Sequence, residues 1–276
     1  MLRKFLKSIA YKLPLILFLY YLIRDLFIQY KGVLTTPWGF GLCGNKKMAS
    51  GMFEPFETRV IRELLPQIDI FINVGANIGY YCCHALSLGK PTIAVEPITS
   101  NLQYLLNNVK SNGWDKQIQV FPVALGESHN VLDIWGVGTA ASLIKGWGSN
   151  PKQYPTRVPV LTLDKILGED IIGKKALILI DVEGAEYLVL KGAIETLQNT
   201  PKPIWIIEIT TTEHQPTEVV TNPHFKKTFE LFFNLGYRAF TVEENPREIF
   251  KRDVNEIIAN KISPGVHNFV FRSKHN

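Results

Sequence analysis

The sequence predicts an α/β protein, a mostly parallel sheet flanked by helices, behind a separate N-terminal helical appendage. Three observations carry this expectation. Short runs rich in Ile, Val and Leu (68–74, 92–95, 117–121, 176–180 and 204–209) alternate with segments of helical period. That is the pattern of strands buried on both faces by crossover helices. The first run ends in a glycine turn, Asn73-Val-Gly75-Ala-Asn77-Ile-Gly79, and the second ends in a single acid, Glu96, 21 residues after Gly75.

The elements follow in order. Residues 13–23 (LPLILFLYYLI) are apolar throughout and follow Arg3, Lys4, Lys7 and Lys12. At about 1.5 Å per residue this run is far shorter than a hydrocarbon core of about 30 Å. Extending it to residue 30 takes in Arg24 and Asp25, and no small-residue cleavage signature follows. Residues 1–30 are therefore expected either to pack on protein or to make a peripheral membrane contact. Residues 31–57 read as an irregular lead-in, and 58–276 as the folded body. A short helix is expected over 58–65, a buried strand over 68–74 and a helix over 78–88, stopped by Gly89 and Pro91. After the strand at 92–95, Thr99 or Ser100 is expected to cap a helix with Leu102, Leu105, Leu106 and Val109 on one face. A strand follows at 117–121.

Residues 133–157 break this rhythm with Gly136, Gly138, Gly146, Gly148, Pro151 and Pro155, and with Trp135, Trp147 and Tyr154 between them. They read as a loop or hairpin excursion whose aromatics either cover apolar surface or stack on a sugar. A strand at 176–180, a helix at 186–197, a strand at 204–209 and a Phe-rich helix closing at Gly236 come next, with late strands at 237–242 and 268–272.

Composition narrows the function. A chain of 276 residues, 46% hydrophobic and 20% charged, excludes a disordered or fibrous protein. The net charge of +5 comes mainly from Arg3, Lys4, Lys7 and Lys12, which all precede Asp25, the first acid. No nucleic-acid groove is expected on the body. Three cysteines, with Cys82 and Cys83 adjacent, suit free thiols in a reducing compartment and offer no structural zinc spacing. No metal site is expected.

The glycine turn sits where a strand meets a helix, the position a nucleotide-like ligand uses, and the following helix is expected to present free N–H groups. A carboxylate at Glu96 suits the two hydroxyls of a ribose. A dinucleotide site wants G-x-G-x-x-G, but here the spacing is G-x-x-x-G, with Asn77 where a pyrophosphate would crowd. A ligand with an amino-acid tail has no such need, and Asn73 and Asn77 could bind its ammonium or carboxylate. S-adenosylmethionine is favoured over a nicotinamide cofactor.

The segments INVGANIGYY, AVEP, VALG, LTLDKIL, LIDVEGAEYLVLKGA and IIEI, in that order, resemble the FkbM family of S-adenosylmethionine-dependent methyltransferases over residues 54–270. The resemblance implies a Rossmann-like class I methyltransferase fold, a seven-stranded sheet with a reversed last strand. It also implies O-methylation of a hydroxyl on a small molecule, sugar or glycan, and a body facing the cytoplasm, where the methyl donor is made. It makes Asn73, Gly75, Asn77, Gly79, Glu96 and Ala124 the expected cofactor contacts. Asn73 stands where the family usually has Asp.

Asp181 and Glu183, at the end of the fourth strand, are the expected catalytic pair, on the same side if the strand stays extended to 183. Either can act as general base, or both can hold a divalent cation, or one can cap the next helix. Glu186 reads as a first-turn helix charge. Glu208, ending the fifth strand, is the third catalytic candidate. His84 reads as a structural histidine and His214 as an exposed loop residue. Ser142 resembles a family position near the pocket. The alternatives are a nicotinamide oxidoreductase on a similar sheet, and a membrane-tethered binding module without catalysis.

Overall fold

The structure, a computed structural model, describes residues 32–150 and 152–274. The N-terminal segment 1–30 lies outside the described residues. The lead-in forms a short hairpin, β1 (Leu34–Thr35) with β2 (Gly41–Leu42), and one helical turn, α1 (Lys46–Ala49). Phe40, Leu42 and Met48 share a core cluster with Phe71 and Leu177 of the main sheet. The next helix, α2 (Pro55–Leu64), starts earlier than expected because Pro55 sits in its first turn, where a missing N–H costs nothing.

The Rossmann-like rhythm follows: β3 (Ile70–Val74), α3 (Tyr80–Ser87), β4 (Thr92–Val95), α4 (Thr99–Ser111) and β5 (Ile118–Phe121). Thr99 and Ser100 do not cap α4; the cap position is Ile98, whose N–H is taken by the Glu96 carboxylate at 2.8 Å. The buried face is also rotated from the expected one. Asn101, Tyr104, Leu105, Asn108 and Val109 point inward, whereas Leu106 is exposed. Two asparagines win these positions because each satisfies backbone groups. Asn108, for example, bonds Cys43 and Ile78.

The excursion has more structure than its glycines and prolines suggest. β6 (Ala124–Leu125), β7 (Asn130–Ile134) and β8 (Thr156–Leu161) form a separate three-stranded sheet, with β8 in the middle. After α5 (Leu163–Leu167) and β9 (Ala176–Ile180), the helix expected at 186–197 is broken into α6 (Glu186–Lys191) and α7 (Ile194–Leu197). The break falls at Gly192, where a Cβ would lie 2.1 Å from the carbonyl oxygen of Gly126. The turn after β6 presses on the helix there. β10 (Ile204–Glu208), α8 (Phe225–Asn234), β11 (Tyr237–Thr241), β12 (Glu248–Ile249), α9 (Lys251–Asn260) and β13 (Asn268–Ser273) complete the chain.

The main sheet has the order β12-β11-β13-β10-β9-β3-β4-β5. β5, β4, β3, β9 and β10 are parallel, and β13 runs antiparallel between β10 and β11. This is the expected seven-stranded sheet with its reversed last strand, plus one two-residue edge strand, β12. A two-residue strand leaves no periodic trace in sequence. β9 and β3 are buried at every position, as parallel central strands require. α8 stacks Phe232 on Phe271 of β13, centroids 4.0 Å apart. Cys43, Cys82 and Cys83 are free and buried. Among the described residues no helix is long and apolar enough to cross a membrane.

Gly192→Ala is expected to destabilise the fold by about 2 kcal/mol or more, because backbone must move to admit the methyl group. Urea denaturation should show a lower midpoint at unchanged slope.

Candidate functional site

The ends of β3 and β9 interlock. The Asp181 N–H donates to the carbonyl of Val74 at 3.0 Å. A Cβ on Gly75 would fall 1.8 Å from the Asp181 carbonyl oxygen, and Gly75 has φ of 82°. Only glycine fits that contact and that backbone angle. The turn is then stitched to β4: the N–H groups of Gly75 and Ala76 both donate to Val95, and that of Asn77 donates to Glu96 Oε2 at 2.8 Å. The Gly79 N–H bonds Ala76. The N–H groups of Gly75, Ala76, Asn77 and Gly79 are thus bonded inside the protein, while the first turn of α3 has no side-chain cap.

A cleft of about 570 Å³, counted to its open mouth, lies beyond these strand ends. It brings together six of the expected residues: Gly75, Asn77, Glu96, Ala124, Asp181 and Glu183. Asn73 and Gly79 are not on its walls. Asn73 is buried beneath the turn, with its amide nitrogen 3.6 Å from Cys82 Sγ. Gly79 caps α3 and packs against Leu105. Glu208 stands at the end of β10, beside Asp181.

Glu183 is not where an extended strand would carry it. β9 ends at Ile180, and Glu183 takes a left-handed φ of 56°. Its carboxylate accepts the indole N–H of Trp147 at 2.7 Å, and its carbonyl accepts the Ser142 hydroxyl at 2.6 Å. Nor does Glu183 cap α6. Glu186 does related work, accepting the Gly184 N–H at 2.8 Å as a buried first-turn charge. Trp147 is therefore a buried, bonded side chain with no free face for a sugar, while Tyr154 is exposed.

Burial dominates the electrostatics. It pushes the Glu96 carboxyl up to about 7, against the pull of N–H donors from Ile98, Asn77 and Asn101. Burial, then the charges of Glu183, Glu54 and Glu186, lifts Glu208 to about 8. Burial, then Glu208 and Glu183, holds Asp181 well above the usual carboxylate range. The charge of Glu208 is the largest influence on Asp181 after burial, so the two acids disfavour being ionised together. Glu54 joins this group at about 7, raised by burial although the Tyr81 phenol donates to it at 2.6 Å. Among the described residues no group of three or more His, Cys, Asp or Glu side chains is arranged to hold a metal ion.

Sequence reasoning missed Glu54, Tyr81 and Asn101. Glu54 stood in the lead-in, and nothing local ties it to β9 across the fold. Asn101 had a usable signal: it lies seven residues before Asn108, so both asparagines share one helix face. His84 is structural, as expected. It is buried, contacts Arg62 at 3.0 Å, and is driven down to about 3 by burial and the guanidinium.

The methyltransferase FkbM domain profile matches residues 73–239. No curated protein sequence matches the chain significantly. Among solved structures, a methyltransferase FkbM from Methylobacillus flagellatus is 16% identical, covering 83% of this chain and 56% of its own length, with a TM-score of 0.46. An O-methyltransferase from Bacillus cereus in complex with SAH is 11% identical over 82% of this chain and 83% of its own, with a TM-score of 0.42. A precorrin-6y C5,15-methyltransferase from Geobacter metallireducens is 12% identical over 83% and 94%, with a TM-score of 0.41. The chain thus spans little more than half of the Methylobacillus protein.

The acid group makes stability pH-dependent. Glu208 binds its proton more tightly folded, at about 8, than at its ordinary value of 4.5. The folded state therefore holds more protons between these values, and stability falls as pH rises through that window. Glu208→Gln is expected to raise the melting temperature at pH 9 by roughly 2–6 °C and to flatten its slope from pH 5 to 9. Scanning calorimetry across that range checks it.

Proposed function

The chain belongs to the FkbM methyltransferase family, and on that premise we propose that it methylates a hydroxyl oxygen of a small molecule, sugar or glycan, with S-adenosylmethionine as donor. One observation carries this reading: a single cleft is lined both by Asn77 and Glu96, which suit the donor, and by Asp181, which suits an acceptor hydroxyl.

The residues present fit the donor. Asn77 lines the cleft with a buried Oδ1 that has no partner, and Asn73 Oδ1 is equally orphaned beneath the turn. Glu96 uses three of its roughly four acceptor sites on Asn77, Ile98 and Asn101. Acceptor atoms in this setting want hydroxyl and ammonium donors, and S-adenosylmethionine carries a ribose diol and an ammonium group. Glu96 and Asn77 are the proposed holders, with Gly75 and Ala124 shaping the wall. Asn73 and Gly79 support the turn from behind. When bound, S-adenosylmethionine supplies an electrophilic methyl group.

The chain's own part is to receive the acceptor and its proton. Burial and neighbouring acids raise both Asp181 and Glu208, so a carboxylate of this pair, once ionised, is a stronger base than one in water. The pair is the proposed general base, a role worth roughly 10²–10⁴ in rate. The nicotinamide alternative is disfavoured by the match to a methyltransferase domain. The peripheral membrane contact proposed for residues 1–30 and the cytoplasmic placement of the body stand as expectations beside this reading.

Glu96→Ala is expected to weaken S-adenosylhomocysteine binding by roughly 30-fold or more, read by titration calorimetry. Asp181→Asn is expected to leave that affinity within about threefold while lowering methyl transfer by roughly 10²-fold or more. Mass spectrometry of reactions with sugar, glycan and small-alcohol acceptors reads the second effect. A product methylated on nitrogen or carbon would overturn the oxygen assignment.

A further inference from the structure

Two of the ties between the β7–β8 segment and the body run through turns of the candidate site; others, such as the Gly148 N–H to the His214 carbonyl at 2.7 Å, lie beyond it. At the near tie, the side-chain amide of Asn101 donates to the Gly138 carbonyl at 3.2 Å and to Glu96 Oε1 at 3.1 Å. At the far tie, Glu183 accepts twice, from the Ser142 hydroxyl at its carbonyl and from the Trp147 indole at its carboxylate. Between the ties, Gly138, Thr139, Ala141 and Leu143 form one wall of the cleft.

The far tie is tightly built. Trp147 is 4% exposed. Its ring fills the place of any side chain at Gly184, where a Cβ would meet it at 2.5 Å. Ser142 is fully buried; its hydroxyl also accepts the Ile144 N–H at 2.8 Å, and its backbone exchanges two hydrogen bonds with Trp135. The left-handed Glu183 and the positive-φ Gly184 turn the chain so that the carbonyl and carboxylate of Glu183 both meet this segment. A buried indole N–H on a carboxylate is a charge-assisted bond, and removing either partner leaves the other unsatisfied.

We propose that Glu183 is a positioning residue, a clasp that seats residues 138–147 as the wall of the donor cleft. The acceptor's proton is left to Asp181 and Glu208. The effect on donor affinity rests on the methyl-donor reading of the cleft, but the clasp itself does not. A carboxylate engaged by Trp147 needs an acceptor atom rather than a charge, so glutamine can replace it. A general base cannot be replaced in that way.

The test compares full-length wild type, Glu183→Ala, Glu183→Gln and Trp147→Phe. The readouts are titration calorimetry with S-adenosylhomocysteine and backbone hydrogen exchange over residues 138–147 in the ligand-free protein. Glu183→Ala and Trp147→Phe are each expected to weaken binding about tenfold or more and to speed exchange in the segment, and the double variant to be no worse than either. Glu183→Gln is expected to stay within about threefold of wild type on both readouts. The proposal is overturned if Gln matches Ala, or if Trp147→Phe leaves exchange at the wild-type rate. Trp147→Phe decides the matter from the other side of the bond should Glu183→Ala fail to fold. If the wild type binds no S-adenosylhomocysteine, the donor reading falls, and the exchange comparison of Ala with Gln still judges the clasp.

Discussion

The site depends on a contact with no room in it. Where β3 ends, Gly75 lies against the carbonyl of Asp181, which ends β9, at a distance that excludes even a methyl group. The Asp181 N–H returns to Val74, so the two turns brace each other. Because the same turn is bonded through Gly75, Ala76 and Asn77 to the end of β4, three strand ends hold one geometry. The cleft lies above that brace. A residue that moved Gly75 would move Asp181 on one side and Glu96 on the other.

On this frame the protein concentrates carboxyl groups that water would normally separate. Glu54, the neighbouring Asp181 and Glu183, and Glu208 arrive from three different places in the chain; burial raises every one of them, and nearby acids add to this at Glu54, Asp181 and Glu208. Such an arrangement costs stability and persists because the rest of the fold is strongly determined. Each acid is answered differently. Trp147 donates to Glu183, Tyr81 donates to Glu54, and Asp181 and Glu208 face each other's charge. Both Asp181 and Glu208 therefore change protonation closer to neutral pH than an exposed carboxylate does.

Much of the sheet was legible because parallel central strands are continuous apolar runs. The strands at 92–95 and 176–180 have the bounds the runs suggested, and the Phe-rich helix packs on β13 through Phe229 and Phe232. What was not legible had one of two causes. Short elements such as β6 and β12 have two residues each and no period to read. Other features are set by partners far away in sequence: Gly126 lies against Gly192 where the helix breaks, and Asn108 turns inward to bond Cys43.

The sequence by itself determined the order of strands and helices, the place of the cleft at the strand ends, and the identity of the acids Glu96, Asp181 and Glu208. Those properties are local, written in apolar runs, glycine turns and strand-terminal carboxylates. Only the tertiary structure decided what each acid does. It turned Glu183 toward Trp147, joined Glu208 to Asp181, brought Glu54 and Tyr81 in from outside the strands, and spent the N–H groups of the glycine turn on Val95 and Glu96. The role of a carboxylate depends on which donors and charges surround it, and packing alone brings those neighbours together.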